Sequence, residues 1–223
     1  MSDSSRKPPE ANPTATVPKV VVSRLSLYLR ELQQLVRDGQ ETTNSTQLGE
    51  LIGVTAAQVR KDLAYFGQFG YPGIGYRCQE LIVEFKQILG TSEPWGVALI
   101  GIGNLGRALL RYRGFASQGF RIAAAFDVDD QLIGKTVEGI DVYAMNTLAE
   151  QVKQMEIKLG MIAVPAEAAQ EVADRLVAAG IEGLLNFAPV TITLPEHVQT
   201  VGVDLAIELE QLSFAVVTHG RKT

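Results

Sequence analysis

Three glycines in the middle of the chain have the spacing of a phosphate-binding turn. Gly101, Gly103 and Gly106 form the pattern G-x-G-x-x-G within residues 97–110, VALIGIGNLGRALL. In such a turn the first glycine permits a tight reversal, the second lets the backbone approach a pyrophosphate, and the third lets a helix pack closely on a strand. The unpaired N–H groups at the start of that helix favour a bound anion. The chemistry predicted here is dinucleotide binding.

The elements around these glycines are the ones that such a turn requires. The four apolar residues 97–100 predict a strand that is buried on both faces, and residues 104–113 predict a helix. A second predicted strand, residues 121–126, ends in Asp127, which lies 21 residues after Gly106, about where a ribose-binding acid belongs. The alternative is a Rossmann-like domain in which the loop only turns the chain.

The rest of the second half alternates between strand and helix patterns, which predicts a doubly wound parallel sheet. Strands are expected near residues 142–143 and over 159–164, 183–187 and 198–203, and helices over 148–155, 167–179 and 204–214. Ligands of such sheets bind outside the carboxyl ends of the strands. We therefore expect one crevice to contain the glycine turn and the residues at these strand ends: Asp127, Val164, Pro165, Asn186, Phe187 and Ala188.

The first half of the chain has the pattern of a helix-turn-helix. Helices are predicted over residues 20–38 and 45–51, and a third begins after Thr55, with residues 42–45 as a polar break. Thr55 and Gln58 have the spacing of a capping box. On the third helix an apolar stripe faces inward, and Gln58, Arg60 and Lys61 lie beside it or opposite it. Such a helix fits a major groove, where these side chains reach base edges or phosphates.

A glycine-rich segment follows the third helix. Residues 67–76, GQFGYPGIGY, predict a small hairpin of the kind that forms the wing of a winged helix, and residues 79–89 predict a last amphipathic helix. The alternative is a flexible linker before a helical bundle. The predicted domains are a disordered tail (1–17), a winged-helix DNA-binding domain (18–90), a Rossmann domain that binds NAD(H) (91–203) and a C-terminal helix with its tail (204–223).

Composition restricts the possible classes. The chain has 223 residues, of which 46% are hydrophobic and 20% charged, and it has no apolar run of the ~18 residues that span a bilayer. It shows no signal peptide, so we expect a cytoplasmic protein. Cys78 stands alone, which excludes an internal disulfide framework, and no metal site is predicted. Residues 1–90 carry ten Lys and Arg against nine Asp and Glu, so the charge of this half does not by itself indicate that it binds nucleic acid.

Several stretches together resemble the redox-sensing repressors called Rex. They are residues 47–70 (QLGELIGVTAAQVRKDLAYFGQFG), 95–106 (WGVALIGIGNLG), 164–170 (VPAEAAQ), 178–190 (AAGIEGLLNFAPV) and 212–216 (LSFAV). The resemblance implies a homodimer of winged-helix and Rossmann subunits that exchange their C-terminal helices. Members of that family bind palindromic operator DNA when NADH is scarce, and NADH binding releases them.

The resemblance also implies roles for individual residues. Gln58, Arg60, Lys61 and Tyr76 would contact DNA. Gly101, Gly103, Asn104, Leu105 and Gly106 would hold the pyrophosphate, Asp127 the adenosine ribose, and Tyr112 would lie at the nicotinamide. Asp204 would pair with Arg30 in one state and with Tyr112 in the other, which makes these three residues a switch. In the family's wing a basic residue usually precedes G-x-G-Y, where this chain has Tyr71 and Pro72.

Two other functions remain open at this point. A nicotinamide-dependent oxidoreductase with a helical N-terminal domain is the first, although no His or Lys occupies an obvious acid–base position facing the crevice. The second is a nucleotide-sensing assembly module that does not bind an operator. The leading hypothesis is a non-catalytic repressor with NADH or NAD⁺ as its effector.

Overall fold

The structure is a computed structural model that describes residues 17–219 of the 223-residue chain. The predicted tail, residues 1–17, lies outside the described residues except for Val17. The chain divides into two compact units, with the boundary between Glu93 and Pro94. No helix within residues 17–219 is both long enough and apolar enough to cross a membrane.

Helices and a two-stranded sheet build the N-terminal unit. Its elements are α1 (Lys19–Arg37), β1 (Thr42–Thr43), α2 (Ser45–Ile52), α3 (Ala56–Ala64), β2 (Tyr76–Arg77) and α4 (Cys78–Ile88). Helix α1 packs against α4, and α2 packs against α3. The core between them is made of side chains that each helix contributes at helical spacing, among them Leu25, Leu29, Leu32, Leu48, Val59, Leu63 and Phe85.

Local hydrogen bonds define the helix-turn-helix. Asn44 Oδ1 accepts from the backbone N–H groups of Thr46 and Gln47, both at 3.0 Å, and so caps α2. Gly53 ends α2 in the left-handed conformation, with φ of 75°. Thr55 Oγ1 accepts from the backbone N–H of Gln58 at 3.1 Å and caps α3. The predicted helix-turn-helix is therefore present.

The wing differs from its prediction. The segment expected to be a polar break contains β1, which pairs antiparallel with β2 in the register Thr42 with Arg77 and Thr43 with Tyr76. Between α3 and β2 the predicted hairpin is reduced to a tight turn closed by a bridge between Tyr71 and Gly75. Two threonines are too few to show an alternating pattern, although β-branched residues favour strands. For this reason the sequence did not reveal β1.

The second unit is a seven-stranded sheet with helices. Its strands are β3 (Trp95–Ile100), β4 (Phe120–Asp127), β5 (Thr136–Val137), β6 (Ile140–Ala144), β7 (Leu159–Ile162), β8 (Gly183–Asn186) and β9 (Gln199–Gly202). Its helices are α5 (Asn104–Arg111), α6 (Gly114–Ser117), α7 (Leu148–Gln154), α8 (Ala166–Ala178) and α9 (Leu205–His219), with a 3-10 turn at Met145–Thr147.

The strand order makes this sheet a Rossmann-type sheet. The order is β5-β6-β4-β3-β7-β8-β9, and the pairs from β6 to β9 are parallel. From β3 the chain continues to one side through β4 and β6, then crosses to β7 on the other side. The point of reversal is therefore the carboxyl end of β3, where doubly wound sheets bind their ligands. The edge strand β5 is antiparallel to β6 and was not predicted.

Both faces of the central strand are buried. Ala98 and Ile100 of β3 belong to one apolar cluster with residues of α7 and α8, whereas Val97 and Leu99 belong to a second cluster with Leu109 and Phe115. Alternate residues of a strand point to opposite faces, so helices cover this strand on both sides. The apolar run of residues 97–100 correctly indicated this arrangement.

Candidate functional site

The turn after β3 is shaped by its first and third glycines. Gly101 has a φ of 92°, and a Cβ atom built on it would lie 2.6 Å from the carbonyl oxygen of Ala163. A Cβ atom on Gly106 would overlap the carbonyl oxygen of Gly101. These contacts are with backbone atoms, which cannot move aside. The fold itself therefore requires glycine at both positions.

The second glycine, Gly103, is different, because the fold does not require glycine at this position. Gly103 caps α5 with φ of −70° and ψ of −160°, a conformation that other residues adopt readily. A Cβ atom built on it would meet no heavy atom within 4 Å. The missing side chain therefore leaves open space at the N-terminus of α5. Such space at the free N–H groups of Asn104, Leu105 and Gly106 fits an approaching phosphate.

Asp127 is tied to the same turn by its carboxylate. Its Oδ2 accepts from the backbone N–H of Ile102 at 2.6 Å, and its Oδ1 accepts from those of Val128 and Asp129 at 2.7 and 2.9 Å. These bonds hold the end of β4 against the turn that follows β3. Each carboxylate oxygen can accept more than one hydrogen bond, so capacity remains for ribose hydroxyls.

A cavity of about 480 Å³ joins these features. Its lining includes residues 101–104 of the glycine turn, Asp127, Val164 and Pro165, but not Gly106. Pro165 is also the residue that precedes α8. Leu105 is not part of the lining, since its side chain is exposed on α5. The cavity thus brings together most of the residues predicted at the carboxyl ends of β3, β4 and β7.

The residues after β8 do not line that cavity. Asn186, Ala188 and Asp204 line a second cavity of about 370 Å³. Because β7 lies between β3 and β8, Asn186 at the end of β8 is two strands away from the glycine turn. Its predicted place in one crevice with that turn stays a prediction. Phe187 is half-buried against the apolar cluster that contains Met161.

The side chain of Asn186 stabilises its own loop. Its Nδ2 donates to the carbonyl oxygens of Ala188 and Val190 at 3.3 and 2.8 Å, and its Oδ1 accepts from the backbone N–H of Ala188 at 3.0 Å. Both amide donors are occupied, and the side chain is buried. These side-chain hydrogen bonds therefore fix the backbone of the loop that follows β8.

Tyr112 is exposed at the end of α5. Its side chain is 60% exposed, and its ring meets that of Phe115 edge to face, with centroids 4.9 Å apart. Both rings line an apolar cavity of about 590 Å³ over β7 and β8, away from the glycine turn. Its predicted contact with nicotinamide stays a prediction.

The other two switch residues each have a local partner. Arg30 Nε donates to Glu31 Oε1 at 3.2 Å on α1, and Asp204 Oδ1 accepts from the backbone N–H of Ala206 at 2.9 Å before α9. The two residues belong to different units. Their predicted change of partners stays a prediction.

The exposed face of α3 carries the predicted DNA contacts. Arg60 and Lys61 are exposed, and Arg60 Nη1 donates to Ser45 Oγ of α2 at 2.8 Å. Gln58 is only half-buried, and its amide does not complete the predicted capping box. Instead its Nε2 donates to Asp62 Oδ1 at 2.7 Å. Thr55 therefore caps α3 without the reciprocal bond, and Gln58 serves another contact.

Two aromatic residues organise the wing. Tyr76 is half-buried; burial raises the pKa of its hydroxyl, although the charge of Arg60 opposes the change. Arg77 lies 4.9 Å from the centroid of the Tyr71 ring, and both side chains donate to the carboxylate of Glu80. The wing therefore carries one exposed guanidinium that is oriented by a ring and a carboxylate.

Asp62 is a functional candidate that the sequence did not predict. Its carboxylate is fully buried under α3 and receives hydrogen bonds from Arg24, Tyr28 and Gln58. A polar residue beside Val59 and Leu63 was the only signal of it in the sequence. Its partners on α1 lie more than 30 residues away, and no local pattern joins them.

Comparison with known families and proteins agrees with this two-part architecture. The family described as "Putative DNA-binding protein N-terminus" matches residues 16–64, and the family described as "CoA binding domain" matches residues 92–190. The first match covers α1 to α3, and the second covers β3 to β8 with the glycine turn.

Similar proteins match over almost the whole chain. The redox-sensing transcriptional repressor Rex of Pelotomaculum thermopropionicum is 46% identical over 90% of this chain and 94% of that protein. The protein of the same name from Desulfitobacterium hafniense is 46% identical over 92% of this chain and 98% of its own length.

Solved structures agree as well. The crystal structure of RSP in complex with β-NAD⁺ and operator DNA has a TM-score of 0.85 and 34% identity, and covers 93% of this chain and 95% of that one. RSP in complex with β-NADH has a TM-score of 0.81 and 32% identity, over 93% and 97%. These relatives are named as transcriptional repressors and not as enzymes. This chain therefore belongs to the Rex family of redox-sensing transcriptional repressors.

Proposed function

We propose that this chain is a repressor that binds palindromic operator DNA when the ratio of NADH to NAD⁺ is low and leaves it when NADH binds. The observation that carries the proposal is that one chain combines an exposed basic recognition helix with a turn that is open at Gly103. RSP, similar along its length, has been solved with operator DNA and with NADH. A protein that couples the two ligands needs no catalytic group.

NADH would be held by the 480 Å³ cavity. The pyrophosphate would lie over Gly103, against the N–H groups of Asn104, Leu105 and Gly106, with Gly101 shaping the turn. Asp127 would accept from the adenosine ribose, and Val164 and Pro165 would cover the nucleotide from the next strand. The backbone of Asn186, Phe187 and Ala188 would border the far end.

The choice between NADH and NAD⁺ depends on a single charge, since the oxidised ring is a cation and the reduced ring is neutral. An apolar environment withholds solvation from the cation and so favours the reduced form. Tyr112 would supply part of that environment at the nicotinamide ring. In the NADH-bound form Asp204 would pair with Tyr112. Asp204 would instead pair with Arg30 in the DNA-bound form. A ligand shifts such an equilibrium only by its difference in affinity for the two forms.

We propose that the active species is a homodimer that exchanges α9 between subunits. Helix α9 supports this, because it exposes large apolar side chains around most of its circumference: Leu205, Ile207, Leu209, Leu212, Phe214, Val216 and Val217. Exposed apolar surface on this scale marks an interaction site. Two recognition helices related by a two-fold axis match a palindromic operator.

The remaining assignments follow from this function. Residues 18–90 would read DNA, 91–203 would bind the nucleotide, and 204–223 would join the subunits. A bacterial operator and the NADH pool share one compartment, so the protein would act in the cytoplasm.

The test is operator binding by fluorescence anisotropy, with a duplex that the purified chain selects from a random library. NADH should release the duplex, and NAD⁺ should release it much less. Coenzyme A is the control, because it shares an adenosine diphosphate with NADH but carries no nicotinamide. Operator binding that does not change when NADH is added would contradict the proposal, and so would release of the duplex by coenzyme A. An oxidoreductase would instead consume NADH with candidate substrates, which a repressor does not.

A further inference from the structure

The recognition helix contains a buried charge that the proposed function does not use. Asp62 of α3 has 0% exposure and is the one buried acidic or basic side chain among residues 17–218, whose burial the structure describes. Burying an ionised carboxylate is costly unless it is paired and hydrogen-bonded. The role of Asp62 can therefore be inferred from the groups that donate hydrogen bonds to its carboxylate.

Four hydrogen bonds reach this carboxylate from two helices. Arg24 of α1 donates from Nε to Oδ2 at 2.6 Å and from Nη2 to Oδ1 at 2.7 Å. Tyr28 of α1 donates its hydroxyl to Oδ2 at 3.0 Å, and Gln58 of α3 donates its Nε2 to Oδ1 at 2.7 Å. The two-pronged contact with Arg24 is the strong arrangement for a guanidinium and a carboxylate.

These contacts keep Asp62 ionised. Burial alone would raise the pKa of its carboxyl, but the hydrogen bonds from Arg24, Gln58 and Tyr28 outweigh burial and lower the pKa below the ordinary value. An ionised carboxylate accepts hydrogen bonds and cannot donate them. The group that faces it must therefore be a donor.

This requirement decides which way the Gln58 amide points. The nitrogen must face Asp62, so Oε1 and the second N–H of the amide point away from the carboxylate. Gln58 lies in the first turn of α3, the end of a recognition helix that meets base edges. One acceptor and one donor, side by side on a glutamine, form the pair that recognises N6 and N7 of adenine.

We propose that Asp62 is a positioning residue for base recognition, which orients the Gln58 amide so that it reads an adenine in each operator half-site. The inference rests on the proposed function, since it requires the chain to bind DNA. It adds a residue that touches no base and still determines which base is preferred.

The experiment compares base preferences and not only affinity. The duplex selected by the wild-type chain is changed one base pair at a time, and each duplex is titrated against wild type and Asp62→Asn. In the wild type one A·T pair per half-site should be preferred by about tenfold or more. Asparagine can donate as well as accept, so Gln58 loses its fixed orientation. The variant should lose that one preference and keep the others, and its NADH affinity should be unchanged.

A matched control exists on α1. Gln34 Nε2 donates to Asp38 at 2.9 and 3.0 Å with the same four-residue spacing, at an exposed site. Asp38→Asn should leave every base preference unchanged. A uniform loss of affinity for all duplexes in Asp62→Asn would indicate a merely structural role and would overturn the proposal.

A second variant keeps the test decisive if Asp62→Asn does not fold. Gln58→Met removes the amide and preserves the length of the side chain, so it should erase the same A·T preference. If Asp62→Asn does fold, adding it to Gln58→Met should have no further effect on preference, because Asp62 acts through Gln58. Unchanged preferences in Gln58→Met would refute the proposal. A wild-type chain that binds no duplex would instead show that the proposed function has failed.

Discussion

The nucleotide-binding turn and the recognition helix each depend on an aspartate that accepts several hydrogen bonds, but the donors differ in kind. Asp127 takes its bonds from the backbone N–H groups of Ile102, Val128 and Asp129. Asp62 takes all of the bonds described here from side chains, those of Arg24, Tyr28 and Gln58. Backbone donors come with the fold whatever the neighbouring side chains are, whereas side-chain donors can be lost one at a time.

This difference has a functional counterpart. A nucleotide is common to many proteins, and a turn built from backbone groups and glycines suits it. An operator is particular to its regulator, and side chains can change to read another one. We therefore expect nucleotide binding to be sensitive to substitution of the glycines and of Asp127. Operator binding should be sensitive to substitution of each polar side chain around the recognition helix.

The largest effect is expected on the DNA side of this comparison. Replacing Arg60 and Lys61 together with alanine removes two exposed cations from α3. With about 1–3 kcal/mol for each contact, operator affinity should fall by about 30-fold or more. Anisotropy at one fixed salt concentration measures it, with Arg37→Ala, an exposed cation on α1, as the control. Unchanged affinity would contradict the assignment of α3 as the recognition helix.

Asp127→Ala tests the nucleotide side. A hydrogen bond to a charged group contributes about 1.5–3 kcal/mol, so NADH affinity should fall by roughly 10- to 150-fold. Operator affinity without NADH should stay close to that of the wild type. Calorimetry measures the affinity for NADH, and fluorescence anisotropy measures the affinity for the operator duplex. Equal losses of both would argue against the ribose assignment.

Two glycine variants separate ligand fit from folding. Gly103→Ala adds a methyl group where the protein leaves open space, so the melting temperature should not change while NADH affinity falls by roughly 5- to 30-fold, or about 1–2 kcal/mol. Gly106→Ala forces a methyl group onto the Gly101 carbonyl oxygen and should lower the melting temperature as well. If both variants bound NADH normally, the turn would not be its site.

The smallest effect concerns stability and pH. Tyr28→Phe removes one of the hydrogen bonds that lower the pKa of Asp62, so at pH 7 the variant should be less stable by about 0.5–1.5 kcal/mol. A depressed carboxyl pKa adds stability above its ordinary value of 3.8, and that stability is lost as the pH falls through the folded value. The gap between variant and wild type should therefore close below pH 3.8. Urea unfolding at several pH values measures it, and Tyr65→Phe, exposed after α3, is the control.

Sequence patterns predicted the features that depend on backbone spacing. The glycine turn, the position of Asp127 at the end of β4, the cap at Thr55 and the two buried faces of β3 are each local along the chain. The fold class followed from these features, whereas the family came from the resemblance of longer stretches to Rex proteins. These features are encoded within one or two consecutive elements, which is why reading the sequence was enough.

Features that depend on packing were not predicted. Asp62 is buried because α1 brings Arg24 and Tyr28 to it from distant parts of the chain. The hydrogen bonds that the Asn186 side chain makes within its own loop had no signal in the sequence either. The antiparallel edge strand β5 and the pairing of β1 with β2 involve two residues each, too few to show a period.

In the proposed function, the bound nucleotide controls the affinity of the protein for operator DNA. The most direct measurement is operator affinity across a range of NADH to NAD⁺ ratios at constant total nucleotide. We expect tight binding at low ratios and progressive release as the ratio rises, with Asp127→Ala needing a higher ratio for the same release. Operator affinity that stayed constant across all ratios would contradict the proposed function.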